Sequence, residues 1–186
     1  VQNEIEMLNQ YILGATHPFT IVMGGAKVED KVELIESLLP KCDNLLITGG
    51  IANSCLATLG FNVGNSLKTN NPEVIAKIKN ILINYKDKIM LPVDVIVGRE
   101  YDENFIELIN IDKVSDDDII YDIGMKTINK YKNIINSSKT IFVNGTAGKY
   151  EDKRYATGTR ELLESITNSQ ANKIVGGGDG VSAVKH

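Results

Sequence analysis

Phe19-Thr20-Ile21-Val22-Met23-Gly24-Gly25-Ala26-Lys27-Val28-Glu29-Asp30-Lys31 joins a nearly unbroken apolar run to a glycine pair and then to a segment of helical period. An apolar run with no polar face reads as a strand covered on both sides. In the following segment, Val28–Leu39, the apolar positions 28, 32, 35, 38 and 39 fall on one helical stripe. Strand, tight turn and helix in that order are the repeating unit of a parallel sheet.

The same alternation continues outward. Leu45–Thr48, Lys88–Leu91, Ile119–Ile123, Thr140–Val143 and Lys173–Val175 read as further strands of the same kind. Ile51–Leu59, Pro72–Asn84, Lys126–Asn136 and Thr159–Thr167 read as helices, Pro72 sitting in a first turn with Asn70 or Asn71 as cap. Val93–Val97 and Phe105–Ile109 suggest a hairpin or irregular edge, because Pro92 interrupts the run before them. Residues 1–14 carry Ile5, Leu8 and Ile12 at helical spacing, with Gly14 as a stop. The pattern predicts an α/β, Rossmann-like three-layer sandwich with a mainly parallel central sheet of about six strands. Gly176-Gly177-Gly178-Asp179 follows a strand and is expected to open a helix, yet few residues remain for it. The expectation is therefore a fragment, or a chain cut short at its carboxyl end.

With 186 residues and 42% apolar content the chain can bury one good core. A net charge of −4 gives no basic surface of the kind nucleic acid meets. No apolar run of about eighteen residues exists, so nothing is expected to span a membrane. Cys42 and Cys55 lack metal or redox spacing and only His17 and His186 are histidines, which argues against zinc. Unpaired cysteines and no signal sequence suit a reducing cytoplasm.

Glycine clusters follow several of the strands: Gly24-Gly25, Gly49-Gly50, Gly145 with Gly148, and Gly176-Gly177-Gly178. Ligands of open parallel sheets sit outside the carboxyl ends of the strands, and glycine there lets amide hydrogens approach a phosphate. Neither Gly-x-Gly-x-x-Gly nor Gly-x-x-x-x-Gly-Lys-Ser/Thr occurs after the first strand, which counts against nicotinamide dehydrogenases and P-loop hydrolases. Lys27 and Lys31, at i and i+4, are expected to project from one face of a helix start, where two cations grip a large anion. The bland alternative is a pair of solvated lysines beside Glu29 and Asp30. Asp179 among amide donors makes sense beside phosphates if Mg²⁺ lies between them, or it caps a helix. Asn144 and Glu151 suit either sugar binding or loop fixing.

These residues resemble one family. Gly24-Gly25-Ala26-Lys27-Val28-x-Asp30-Lys31 resembles the opening of the C-terminal domain of phosphoglycerate kinases. In the family's order follow Thr48-Gly49-Gly50-Ile51-Ala52-Asn53, Leu91-Pro92-Val93-Asp94, and Asp122-Ile123-Gly124-x-Lys126-Thr127. Asn144-Gly145-x-x-Gly148-x-x-Glu151, Gly158-Thr159 and Gly176-Gly177-Gly178-Asp179 complete the set. The resemblance divides the chain into an interdomain-type helix, 1–14, and a nucleotide-binding domain, 15–186. The N-terminal substrate domain and a final segment are then absent from it.

The resemblance implies a Mg-ATP or Mg-ADP site within a kinase of glycolysis and gluconeogenesis, monomeric, that moves a phosphoryl group between ADP and 1,3-bisphosphoglycerate. The bisphosphoglycerate, or 3-phosphoglycerate in reverse, is implied to be held only by the missing N-terminal domain. By the same resemblance Lys27, Lys31 and Gly178 act on the phosphoryl group, and Asp179 holds Mg²⁺. Gly25, Ala26, Gly49, Gly50 and Tyr121 flank the nucleotide with Asn144, Thr146, Gly148, Lys149, Glu151, Gly177 and Gly180, Glu151 taking the ribose. Thr146 and Met125 stand where prolines are usual, Lys149 where an apolar residue is usual, and Gly180 where Thr or Ser is usual. Thr48 looks more like archaeal members. These departures keep open an alternative, a diverged nucleotide-binding module without catalysis, and the isolated chain is expected to be inactive.

Overall fold

The computed structural model describes residues 2–177 and 180–184. Its centre is a sheet of β1 (Phe19–Met23), β2 (Asn44–Ile47), β3 (Ile89–Met90), β7 (Thr140–Asn144), β8 (Asn172–Gly177) and β9 (Gly180–Val184), in the order β3-β2-β1-β7-β8-β9. All neighbours run parallel except β9, which pairs antiparallel to β8. The register sets Met23 of β1 opposite both Ile47 and Asn144, so the carboxyl ends of three strands finish at one level.

The alternation of side chains along a strand explains the continuous apolar runs. Phe19, Ile21 and Met23 face one layer with Leu45 and Ile47, covered by α1 (Gln2–Ile12), α2 (Val28–Leu38), α3 (Gly49–Thr58) and α4 (Pro72–Asn84). Val22, Leu46, Ile141 and Val143 face the other, covered by α5 (Met125–Ser137) and α6 (Thr157–Asn168). The apolar positions of β1, β2 and β7 therefore meet a helix on one side or the other, and no polar face is required. The Asn71 side chain caps α4 by accepting from the Glu73 amide at 3.0 Å, as the sequence anticipates. Tyr131, wholly buried on α5, brings its hydroxyl to 2.8 Å from the Ile47 carbonyl and 2.9 Å from that of Met90, tying α5 to the ends of β2 and β3. Among the described residues no helix is long and apolar enough to cross a membrane.

Two expectations are corrected. Ile119–Ile123 (β6) does not join the central sheet. It pairs antiparallel with β4 (Asp94–Arg99), which in turn pairs with β5 (Asp102–Asn110), forming a separate sheet of order β5-β4-β6 over its own small core of Val95, Val97 and Val114. An apolar run reports burial and leaves the partner open, and the β4–β5 hairpin supplies a nearer partner than the parallel sheet. The residues after Gly177 form a strand from Gly180 where a helix was expected, because pairing with β8 satisfies their backbone groups and so short a helix would be marginal.

The small sheet is locked to the main body by Asp94. Its carboxylate accepts from the Lys126 amide at 3.0 Å, the Thr127 amide at 2.9 Å and the Thr127 hydroxyl at 2.7 Å, at the start of α5. The Thr127 oxygen lies 3.0 Å from the Val93 amide, which donates to it. This buried cap satisfies first-turn donors that α5 cannot bond internally, and it fixes the hairpin's position over the strand ends.

Candidate functional site

The loops after β1, β2 and β7 are knitted together by their own backbones. Gly24 donates to the Asn144 carbonyl at 2.8 Å, Gly25 to that of Thr146 at 2.9 Å, and Gly50 to that of Gly25 at 2.9 Å. Gly49 has φ +66°, and a Cβ there would stand 2.8 Å from both the nitrogen and the oxygen of Gly25. Gly145, at φ +82°, has no room for a Cβ against the Gly24 carbonyl. Glycine at these two positions is what lets three loops close into one surface.

Above that surface lies a cleft of about 320 Å³ between the two sheets. Gly25, Ala26, Gly49, Gly50, Tyr121, Thr146, Gly148, Lys149 and Glu151, all expected from the sequence, line it. Its remaining walls are mostly apolar, from Ala52, Leu67, Pro92, Val95, Ile119 and Ile120. Sequence reasoning gave these no role. Ala52, Asn53 and Pro92 stand inside the motifs that carry the resemblance, but the wall exists only because loop and hairpin converge on it. The loop carrying Leu67 is held by Asn53, whose amide nitrogen donates to the Leu67 carbonyl at 3.0 Å, and by Thr69. The Thr69 amide donates to Ser54 Oγ at 2.9 Å and its hydroxyl to Glu29 at 2.7 Å, which lowers the Glu29 pKa.

The cations stand at one end. Lys27 is the exposed residue preceding α2 with non-helical φ −86°, ψ 83°, so it precedes the turn on which the sequence placed it. Lys31, half-buried in the first turn proper, donates from Nζ to Oδ1 of the buried Asn144. Lys27, Lys31 and Asn144 flank the glycine loops and do not line the cleft itself. Gly177 and Gly180 pair across β8 and β9. Gly178 and Asp179, expected to carry amide donors and the metal ligand, lie outside the described residues.

At the other end Tyr121 stacks on Tyr155, ring centroids 4.7 Å apart and tilted 40°. Lys149 lies over Tyr121, Nζ 5.1 Å from the ring centroid. The neighbouring Asp122 is 1% exposed and accepts from the Ile123 and Gly158 amides, both at 2.9 Å, capping α6. Burial pushes its pKa up to about 6, against the two amide bonds that favour the ionised form. Both cysteines are free and buried, and burial raises Cys42 to about 11 and Cys55 to about 12, so neither thiol is a nucleophile at neutral pH.

A parallel sheet covered on both faces, with glycine loops at its carboxyl ends flooring a cleft, defines an open-sheet α/β ligand-binding domain. The family model described as phosphoglycerate kinase matches residues 1–186, and the chain belongs to that family. It is 37% identical over 190 residues to the phosphoglycerate kinase of Corynebacterium kroppenstedtii, covering 100% of this chain and 47% of the relative. It is 42% identical over 188 residues to that of Finegoldia magna, covering 99% and 47%. The solved phosphoglycerate kinase of Coxiella burnetii superposes with TM-score 0.86 at 37% identity, covering 95% of this chain and 46% of that one. That of Pyrococcus horikoshii gives TM-score 0.79 at 29% identity, with the same coverage of 95% and 46%. The archaeal-like Thr48 thus stands in a chain more similar to the bacterial structure than to the archaeal one. The chain spans about half the length of the curated relatives it matches.

Proposed function

We propose that this chain is the nucleotide-binding half of a phosphoglycerate kinase. The observation that carries the reading is the division of one cleft: apolar and aromatic at Tyr121, floored by glycine amides, and ending beside Lys31. A nucleoside di- or triphosphate has that same polarity along its length. Its base would lie between the α3 start and Tyr121, its ribose hydroxyls at Glu151, and its phosphates along the glycine loops toward Lys27, Lys31 and Gly177–Gly180.

In the full-length kinase the γ-phosphoryl of ATP would pass to the carboxylate of 3-phosphoglycerate, or return from 1,3-bisphosphoglycerate to ADP. The phosphoglycerate would be held by a domain that this chain does not include, with α1 as the interdomain helix. Lys31, oriented by Asn144, would stabilise charge on the oxygens of the group in transfer, assisted by Lys27 and amides around Gly178. Such catalysis works by position and charge and needs no covalent intermediate.

Among the described residues no cluster of His, Cys, Asp or Glu forms a metal cage. Magnesium needs none, because it binds through one or two carboxylates and the substrate's own phosphates. Asp179, outside the described residues, is the carboxylate proposed to meet an ion that arrives with the nucleotide. Its chemistry there would be neutralisation of phosphate charge.

Calorimetric titration with Mg-ADP tests the reading. Binding in the micromolar to millimolar range, about −4 to −8 kcal/mol, is expected, weakened by Asp179→Ala and by chelation of Mg²⁺. Coupled assay of the chain alone is expected to give no turnover. Absence of binding at millimolar Mg-ADP would sink the proposal.

A further inference from the structure

The loop between α3 and α4 inverts the usual placement of its side chains. Ser66 and Thr69 are buried, whereas Leu67 between them is 55% exposed and lines the cleft. The polar residues turn inward because each has a partner there. Ser66 Oγ accepts from the Ile120 amide of β6 at 2.8 Å. Thr69 is held by Ser54 and Glu29, and its hydroxyl oxygen also accepts from the Asn71 amide at 3.1 Å. Stability alone would favour the reverse arrangement, with the leucine packed inside and the polar residues in water. The buried bonds of this loop instead present an apolar side chain to an open volume.

One bond acts on Leu67 itself. Its carbonyl accepts from the amide nitrogen of Asn53 at 3.0 Å, and Asn53 is buried within α3. That helix begins at Gly49, and the Gly50 amide is bonded to the Gly25 carbonyl in the glycine floor. One rigid element therefore carries both the floor of the cleft and the anchor of its wall. The separation of Leu67 from the floor is set through Asn53, and not by the stiffness of a loop that has no regular structure of its own.

We infer that Asn53 is a positioning residue for the ligand of this cleft, acting through Leu67, which it holds at the height where a flat apolar group is gripped against the glycine floor. The inference rests on the nucleotide reading above, and the gripped group is then the base, whichever base it is. Apolar contact decays within a fraction of an ångström, so a wall that drifts outward forfeits much of it. A wall fixed beforehand also spares binding the entropy of ordering the loop.

The test is calorimetry with Mg-ADP on the unaltered chain, Asn53→Ala, Leu67→Ala and the double variant. Mg-tripolyphosphate, which carries no base, is measured beside it by displacement of Mg-ADP. Each single variant is expected to weaken Mg-ADP about ten-fold, the apolar contact of one leucine. The double variant is expected to bind no more weakly than the weaker single variant, because Asn53 acts only through Leu67. Mg-tripolyphosphate is expected to bind all of them within about two-fold of the unaltered chain. Leu67→Ala, at an exposed position, keeps the thermal midpoint and tests the wall whatever Asn53→Ala does to folding. Unchanged Mg-ADP affinity in either single variant overturns the inference, as do losses that multiply in the double variant. An equal loss for Mg-tripolyphosphate also overturns it, since that pattern reports a general loosening of the chain. Failure of the unaltered chain to bind Mg-ADP at millimolar concentration would remove the nucleotide reading itself.

Discussion

The ammonium of Lys31 in the first turn of α2 donates to the amide oxygen of Asn144 at the end of β7, across 113 positions of sequence. The contact sets a cation from one layer of the fold against the last residue of a central strand. On the proposed reading it orients Lys31 for phosphate. Lys31→Ala is expected to weaken Mg-ADP binding by about ten- to a hundred-fold, the loss of a charge-assisted contact. Asn144→Ala is expected to weaken it less, and the double variant to fall short of the product of the two losses, because each change removes the same contact. Calorimetry on the four proteins decides the matter, and simple multiplicativity would show that the contact has no bearing on binding.

Asp122 gives the fold a pH dependence of unusual sign. Its pKa is about 6 in the folded chain, against about 4 for an unfolded aspartate. Between these values the folded state holds more protons than the unfolded one, so this residue's contribution to stability falls as pH rises from about 4 to about 6.5. The difference amounts to up to about 3 kcal/mol at neutral pH. Urea denaturation of the unaltered chain and of Asp122→Asn, from pH 4 to 7, is expected to converge or reverse in rank toward neutrality. A gap that stays constant with pH would contradict the burial argument.

Gly49→Ala tests the knitted loops. The substitution places a Cβ 2.8 Å from the Gly25 backbone in a left-handed conformation, which together cost roughly 1–3 kcal/mol. Because the strain falls on the Gly25 loop, Mg-ADP affinity is expected to drop alongside the thermal midpoint. A Gly60→Ala control sits at φ +99° with open space around it, so its strain is conformational only and nucleotide affinity should be unmoved.

Tyr131→Phe removes the hydroxyl that meets the Ile47 and Met90 carbonyls inside the protein. Leaving these buried acceptors without it is expected to destabilise the chain by about 1–3 kcal/mol in denaturant titration. Nucleotide affinity should not change, since Tyr131 does not line the cleft.

The sequence is most informative where one local rule decides the outcome. The runs at Phe19–Met23 and Thr140–Asn144 are buried on both faces, and their apolar continuity records it. Asn71 and Pro72 mark the start of α4 because capping is chemistry between near neighbours. Ile119–Ile123 carries a similar signal, yet its pairing with β4 depends on which strand reaches it first in space. The glycine floor of the cleft was legible for the same local reason as the caps. Its apolar roof was not, because Leu67 and Val95 reach it through a loop and a hairpin whose positions depend on Asn53, Ser66 and Asp94 bonding to distant backbone. The Lys31–Asn144 contact belongs to this second class as well.

The bonds joining the loops at Gly24, Gly25 and Gly50 run from main chain to main chain. Such a weave is indifferent to what the side chains are, provided that the crowded positions keep no Cβ. The architecture of the cleft and its chemical taste are therefore separable. Side chains that line the cleft, such as those of Thr146 and Lys149, can differ without loosening the weave, and the cloth beneath them keeps its shape.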